Sequence, residues 1–220
     1  MPVVKSGPSV LVLWDVDHTL MESRGVGLAI YQRAFVAVTG RPLDKLAQVA
    51  GRTELDIIRD TLLGNGIEPT DESISRLKAA LIDAYESARE ELATIGRALP
   101  GAKATLELIS TDPRLRQGVL TGNLRQVARI KLAVFGLSAH LDLHASAYGD
   151  DHSDRAKLVA IAQARATGRF GVAFPNENTV LIGDTPKDVH AAIAAGYASS
   201  RWPQVGAQQR NCAPQGRAKS

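Results

Sequence analysis

The sequence has almost no cysteine, since Cys212 is the only one among its 220 residues. A disulfide within the chain is therefore excluded. No apolar run approaches the roughly 20 residues that a membrane-spanning helix requires, and the first residues lack the pattern of a secretory signal. We therefore expect a cytoplasmic protein without membrane contacts.

The chain also lacks a broad excess of either charge. Its formal net charge is +3, and residues 197–220 contain no acid and four basic residues, Arg201, Arg210, Arg217 and Lys219. Removing these four charges leaves −1 for the rest of the chain, which is not the charge of a nucleic-acid-binding domain. We expect no nucleic-acid partner, and we expect residues 197–220 to form a poorly structured tail. Hydrophobic residues make up 45% of the chain, which is ordinary for a globular protein.

One apolar stretch runs directly into two acidic residues. The run Val10–Trp14 is followed by Asp15 and Asp17. A short continuous apolar run predicts a strand buried on both faces, and parallel sheets bind ligands beyond the carboxyl ends of their strands. Two close carboxylates repel each other unless a cation or a shared proton intervenes. The pair therefore indicates a hard metal ion, although two aspartates could also simply open a loop.

The middle of the chain shows helical periodicity and no convincing strand. Predicted helices begin near Leu28, Pro42, Thr53 and Thr70, and the second of them covers residues 42–50. From residue 117 onward, strands alternate with helices, which implies right-handed βαβ units and a parallel sheet. We therefore predict an α/β fold with a Rossmann-like parallel core, residues 1–20 and 99–196. An all-helical cap domain, residues 21–98, is inserted into it.

A second predicted strand, residues 117–120, ends in a polar turn. Thr121, Gly122 and Asn123 follow it and begin a helix. Backbone N–H groups at a helix start bind anions, so this turn is a candidate phosphate site. Taken alone, Thr-Gly-Asn is also a common structural turn.

A third predicted strand, residues 179–182, ends in acidic residues. Asp184 follows its tip and Asp188 lies one helical turn further on. Both could supply or orient ligands for Mg²⁺, which prefers oxygen donors. Alternatively, both could be acids that favour the N-terminus of a helix.

Together, D-x-D-x-T-L at residues 15–20, the turn after residue 120 and G-D-x-x-x-D at residues 183–188 resemble three motifs of the haloacid dehalogenase-like hydrolase superfamily. The resemblance covers residue 10 to about residue 196, and the helical insert is similar to the cap of phosphoglycolate phosphatase-like members. The chain departs from the family pattern after Gly196. This resemblance implies the predicted fold and chemistry based on an aspartate nucleophile.

The resemblance assigns roles to the strand-end residues. Asp15 would be the nucleophile and a metal ligand, and Asp17 the general acid/base that also gives its backbone carbonyl to the metal. Thr121, Gly122 and Asn123 would bind phosphate, and Asp184 and Asp188 would complete a Mg²⁺ site. The implied reaction is hydrolysis of a small phosphorylated metabolite through an aspartyl-phosphate. A sugar phosphomutase and a catalytically silent phospho-ligand-binding protein are the alternatives, and the oligomeric state is left open.

The cation that neutralises the phosphate is less clear from the sequence. Much of the family has a lysine near the start of the penultimate helix, where this chain has His152 or Ser153 with Arg155 and Lys157 just beyond. Lys131 is a competing candidate, because it interrupts an apolar helical stripe and its side chain leans towards the Thr121 turn. We favour Lys131 and leave Arg155 and Lys157 as alternatives.

Arg52 is the candidate in the helical insert. It lies at the predicted start of a cap helix, from which it could bind a distal anion of the substrate. A surface arginine is the alternative interpretation.

Overall fold

The structure, a computed structural model, describes residues 9–184. In these residues the strands are β1 (Val10–Trp14), β2 (Met21–Glu22), β3 (Arg97–Ala98), β4 (Leu115–Val119) and β5 (Thr179–Ile182). The helices are α1 (Val26–Thr39), α2 (Glu54–Gly64), α3 (Asp71–Ser87), α4 (Arg89–Ile95), α5 (Ala102–Ser110), α6 (Arg125–Val134) and α7 (Arg155–Phe170). Short 3₁₀ turns lie at Ser138–His140 and Asn176–Asn178.

The central strand of the sheet is β1, which pairs in parallel with β4 on one side and β5 on the other. Its side chains alternate between two hydrophobic clusters. Leu11 and Leu13 pack in the cluster that contains residues of α7, whereas Val12 and Trp14 pack in the cluster that contains residues of α1–α6. Both faces of β1 are therefore covered, which explains its continuous apolar sequence. The parallel sheet flanked by helices confirms the predicted α/β class.

A further segment touches the sheet beside β4. The sequence suggests a weak strand over residues 141–147, but in the structure it is reduced to a single parallel bridge between Leu120 and Ala147. The Asp142 carboxylate accepts the backbone N–H groups of His144 and Ala145. These donors are consequently used in a local turn and cannot form a strand ladder.

The four helices α1–α4 are inserted between β2 and β3, which pair antiparallel. The two ends of the helical insert therefore lie side by side, at the β2–β3 pair. No strand was expected in this block, because two-residue strands are too short to produce a periodic pattern. The helices α3 and α4 pack on α6, and Ile30 and Leu77 share one cluster with Leu124. The division into a core and a separate cap domain stays a prediction.

The predicted helix over residues 42–50 is wrong. The structure has no regular element there, and the side chain of Asn65 holds the segment instead. Its Oδ1 accepts the backbone N–H groups of Asp44 and Lys45, and its Nδ2 donates to the carbonyl of Lys45. A buried amide side chain therefore takes the backbone groups that helical bonds would have used.

In the part of the chain that the structure describes, no helix combines the length and the apolarity that crossing a bilayer requires.

Packing between the insert and the sheet predicts a large effect at Leu77, whose side chain is 0% exposed, whereas Leu108 on α5 is 70% exposed. We expect Leu77→Ala to lower the free energy of unfolding by about 2–5 kcal/mol, because it removes buried surface and leaves a cavity. The control, Leu108→Ala, should cost less than about 0.5 kcal/mol. Urea unfolding measures both, and equal losses would contradict the packing described above.

Candidate active site

The tips of β1, β4 and β5 meet at one edge of the sheet. The backbone N–H of Asp15 donates to the carbonyl of Ile182 at 2.8 Å, and that of Leu120 donates to the carbonyl of Trp14, also at 2.8 Å. The residues that follow each strand are therefore brought together. A cavity of about 410 Å³ opens here, lined by every predicted site residue that the structure describes: Asp15, Asp17, Arg52, Thr121, Gly122, Asn123, Lys131 and Asp184. Asp188 lies outside the described residues.

Asp15 is a largely buried carboxylate at the end of β1. Its Oδ1 accepts the backbone N–H of Val16 at 2.8 Å. Its Oδ2 lies 3.5 Å from Nη2 of Arg155, the first residue of α7. A backbone bond thus orients this carboxylate while a guanidinium stabilises its negative charge.

Asp17 faces a different cation from Asp15, and the chain turns just after Asp17. His18 adopts a left-handed φ of 59°, and its N–H donates to the carbonyl of Met21 at 2.7 Å. Both carboxylate oxygens of Asp17 accept from Nζ of Lys131 at 2.8 Å. The two aspartates, which would share a face in a regular strand, are consequently paired with separate cations.

The Asp17–Lys131 pair is ionised. Burial alone would raise the pKa of Asp17, but the charge and hydrogen bonds of Lys131, with a hydrogen bond from Asn123, lower it. Burial likewise opposes the charged form of Lys131, but the charge and hydrogen bonds of Asp17, together with the nearby Tyr85 and Glu54, outweigh burial and raise the pKa of Lys131. At neutral pH the site therefore contains a carboxylate and an ammonium in direct contact.

Asn123 links this pair to the turn after β4. Its Nδ2 donates to Asp17 at 2.7 Å and to Oγ1 of Thr121 at 2.8 Å, and its Oδ1 accepts from Lys131 at 2.8 Å. The hydroxyl oxygen of Thr121 thus acts as an acceptor. Its proton has no acceptor within residues 9–184, so it can be donated to a bound anion.

The partner of Lys131 differs from the sequence-based interpretation, in which Asp15 and Asp184 could pair with a buried ammonium at this position. Its ammonium lies at the end of α6 near Thr121, as expected, but it pairs with Asp17 and not with Asp15. Arg155 is the cation beside Asp15. Lys157, the remaining alternative, is exposed. The sequence pattern located a buried lysine, but it could not determine which of two nearby carboxylates the lysine would meet.

Arg52 lines the cavity but is held by an acidic neighbour. Its Nη2 lies 2.7 Å from Oδ2 of Asp60 on α2, and its Nη1 donates to the carbonyl of Gln48 at 3.5 Å. The predicted role of Arg52 in binding a distal anion would therefore require this ion pair to open.

Sequence reasoning missed three polar residues of the insert that line the cavity, Tyr31, Glu54 and Tyr85. The Tyr31 hydroxyl donates to Oε1 of Glu54, and Nζ of Lys131 lies 5.3 Å from the ring centre of Tyr85. Burial raises the pKa of all three side chains. Tyr31 fits the apolar stripe of α1 and Glu54 fits a helix start, so neither pattern indicates a site.

The insert also touches the candidate phosphate-binding turn, residues 121–123, through its backbone. The N–H of Glu54 donates to the carbonyl of Gly122 at 2.7 Å. A Cβ atom on Gly122 would lie 2.1 Å from the carbonyl oxygen of Arg52, and one on Gly149 would lie 1.8 Å from the carbonyl oxygen of Gly122. The backbone segments at residues 52–54, at Gly122 and at Gly149 therefore stack so closely that neither glycine could have a side chain.

The donor set can be compared with the needs of a divalent ion. Within residues 9–184, no three His, Cys, Asp or Glu side chains are close enough to form a metal site. Mg²⁺, however, is usually bound by one or two carboxylates with several waters. Asp15 and Asp184 follow adjacent strands and line the same cavity, so the available oxygen donors fit Mg²⁺.

Comparison with known proteins agrees with this geometry. A family model described as haloacid dehalogenase-like hydrolase matches residues 12–192. The chain belongs to this family. No curated protein matches the sequence.

Solved structures share the fold of this haloacid dehalogenase-like hydrolase. A hydrolase from Pseudomonas syringae is 24% identical with a TM-score of 0.62, and the match covers 86% of this chain and 82% of that one. CbbY from Rhodobacter sphaeroides, solved with xylulose 1,5-bisphosphate, is 17% identical with a TM-score of 0.66, covering 86% and 84%. A predicted phosphoglycolate phosphatase from Haemophilus somnus is 19% identical with a TM-score of 0.59, covering 88% and 84%.

The backbone stack predicts that Gly122 does not tolerate a side chain. We expect Gly122→Ala to lower the free energy of unfolding by about 1–3 kcal/mol, because the new Cβ atom meets backbone that cannot rotate away. Gly168 on α7 has open space around its Cα, so Gly168→Ala should instead stabilise the helix by about 0.5–1 kcal/mol. Urea unfolding of both variants tests this, and similar midpoints would argue against the stack.

The Asp17–Lys131 pair predicts an asymmetric double-mutant cycle, because the side chain of Lys131 is 5% exposed and that of Asp17 is 33% exposed. Asp17→Asn should cost about 3–5 kcal/mol, since it leaves a buried ammonium without its counter-charge. Lys131→Met should cost less, because water can reach Asp17. The double variant should lose less than the sum of the two single losses, as measured by urea unfolding without divalent cations. Strict additivity would exclude the coupling.

Proposed function

We propose that this protein is a Mg²⁺-dependent phosphatase that hydrolyses a small phosphorylated metabolite through an aspartyl-phosphate on Asp15. The observation that carries the proposal is the meeting of Asp15, Thr121 and Asp184 at one cavity. A carboxylate is an effective nucleophile towards phosphorus when the charge of the phosphoryl group is neutralised nearby. The chain provides that charge through Arg155 and Lys131.

In the first step, Asp15 attacks the phosphorus atom and the bond to the ester oxygen breaks. The bond from the Val16 N–H fixes Oδ1 of Asp15, so Oδ2 is the attacking oxygen. The Arg155 guanidinium lies beside Oδ2 and stabilises the equatorial oxygens of the phosphoryl group. The Thr121 hydroxyl donates to one of those oxygens, and the backbone N–H groups of the turn assist it.

Asp17 is the proton carrier of both steps. It is ionised beside Lys131, which suits it to take a proton from the water that hydrolyses the aspartyl-phosphate. Protonation of the leaving oxygen in the first step requires the acid form, which the Lys131 ammonium disfavours. The incoming phosphate therefore has to compete with Asp17 for Lys131, so that binding the substrate loosens the pair and restores the proton affinity of Asp17. Asp17 can then take up a proton from solvent and donate it to the leaving oxygen.

Mg²⁺ would be held by the carboxylates of Asp15 and Asp184 and by the backbone carbonyl of Asp17, with Asp188 as a further candidate outside the described residues. The ion supplies positive charge that offsets the repulsion between the phosphate and the carboxylate nucleophile. Residues 21–98 act as a cap that limits water at the cavity, since α1–α3 contribute Tyr31, Glu54 and Tyr85 to its wall.

A sugar phosphomutase would share the first step but would have to hold a second phosphate. Within residues 9–184, the arginine and lysine side chains that line the cavity are Arg52, Lys131 and Arg155. Each of them lies against a carboxylate, which favours a substrate with one phosphate. Transfer of the phosphoryl group to water and not to a sugar bisphosphate would separate the two reactions.

The proposal predicts hydrolysis of p-nitrophenyl phosphate that requires Mg²⁺ and Asp15. Asp15→Asn should lower kcat by about three orders of magnitude or more, since it removes the nucleophile. The control, Asp83→Asn, changes an exposed aspartate on α3 and should retain the wild-type rate. Release of p-nitrophenol is followed with Mg²⁺ and with a chelator. Activity that survives Asp15→Asn, or that ignores the chelator, would refute the mechanism, and wild-type inactivity would favour a silent binding protein.

A further inference from the structure

The helical insert contributes a carboxylate to the cavity, and the proposed chemistry does not use it. Glu54, the first residue of α2, is buried and lines the cavity with Tyr31 from α1 and Tyr85 from α3. These residues come from three helices of the insert. The position of the Glu54 carboxylate is therefore set by tertiary packing and not by a local turn.

The Glu54 carboxylate has fewer hydrogen bonds than a buried charge requires. Within residues 9–184 its one donor is the Tyr31 hydroxyl, which bonds to Oε1. An ammonium has three protons to donate, and Lys131 directs its own to both oxygens of Asp17 and to Asn123. Lys131 therefore acts on Glu54 only through its charge. A buried carboxylate with a single donor is costly, so Oε2 is suited to accept a hydrogen bond from a ligand.

Within residues 21–98, all of which the structure describes, the cavity wall has no further arginine or lysine besides Arg52 that could bind a second anionic group. The Arg52 guanidinium is paired with Asp60. Apart from Tyr31, Glu54 and Tyr85, the other residues of the insert that line the cavity are apolar or small, and they include Ser23, Gly27, Leu28, Leu46, Val49 and Ile57. A substrate carboxylate near Glu54 would face another negative charge in a largely desolvated site, which is unfavourable. A neutral hydroxyl would instead donate to Oε2.

We propose that Glu54, positioned by Tyr31, accepts a hydrogen bond from a substrate hydroxyl, so that the substrate is the phosphate ester of a neutral polyol or sugar and not of a carboxylic acid. This assignment rests on the proposed phosphatase function. The cavity of about 410 Å³ is of the size that encloses a small molecule. Glu54 is then the residue that selects the organic part of the substrate, a role that the sequence suggested for Arg52.

The preference for a neutral alcohol over a carboxylic acid can be tested with two phosphate esters that differ only in this group. D-Glycerol 3-phosphate has a hydroxymethyl group where D-3-phosphoglycerate has a carboxylate, and the two share the same configuration at C2. We expect the wild-type kcat/KM to be at least about tenfold higher for glycerol 3-phosphate, which corresponds to about 1.4 kcal/mol. Glu54→Gln removes the negative charge and provides an N–H donor, so it should reduce this ratio by about tenfold or more.

Matched variants separate recognition from folding. Glu72→Gln changes an exposed glutamate on α3 and should keep the wild-type ratio. Tyr31→Phe removes the hydroxyl that donates to Glu54. It should lower the ratio of kcat/KM for the two esters, as Glu54→Gln does. It provides the test if Glu54→Gln fails to fold, as judged by thermal unfolding.

The outcomes distinguish this inference from the phosphatase proposal. If the wild-type protein hydrolyses p-nitrophenyl phosphate but shows no preference for glycerol 3-phosphate, the role of Glu54 is wrong and the phosphatase function stands. An unchanged ratio in Glu54→Gln, or faster hydrolysis of phosphoethanolamine than of glycerol 3-phosphate, would also overturn it. If no phosphate ester is hydrolysed, including p-nitrophenyl phosphate, the phosphatase proposal itself fails.

Discussion

The site depends on the parallel pairing of β1 with both of its neighbours. Parallel strands in register end at the same edge of a sheet, so the residues after β1, β4 and β5 have to meet there. The backbone bonds of Asp15 and Leu120 to neighbouring strands extend this register to the strand tips. Without this parallel register, the carboxylates of Asp15 and Asp184 and the hydroxyl of Thr121 would lie on separate loops and would not share a cavity. Burial of both faces of β1 by apolar residues stabilises the arrangement.

Charge balance is the second constraint on the cavity. Two carboxylates separated by one residue are each matched by a cation from a different helix. Arg155 lies beside Asp15, the candidate nucleophile, and Lys131 lies beside Asp17, the candidate proton carrier. Cations fixed in advance need little reorganisation when negative charge develops, which is the usual source of electrostatic catalysis. Glu54 is the exception, because no arginine or lysine of the described residues forms a salt bridge with it.

The fold and the positions of the strand-end residues could be predicted because both follow from local patterns. A continuous apolar run before Asp15, and another before Gly183 and Asp184, determines a strand and its tip. The Thr121 turn could be predicted as the end of a strand that alternates with helices. The cation partners were not predictable, because they depend on how α6 and α7 are rotated against the sheet. Residues 42–50 could not be predicted either, since the side chain of Asn65 decides their conformation. The pairing of Tyr31 with Glu54 joins two helices and leaves no periodic signal in the sequence.

The contact between Gly122 and the residues before α2 has a consequence for how new specificities can arise. A single peptide carbonyl, that of Gly122, joins the candidate phosphate-binding turn to the segment that presents Glu54. The side chains near this hydrogen bond can be substituted without moving the backbone. Such substitutions can change which groups line the cavity. An inserted or deleted residue just before Glu54 would shift the turn itself, so substrate range can be altered by substitution far more readily than by changes in loop length.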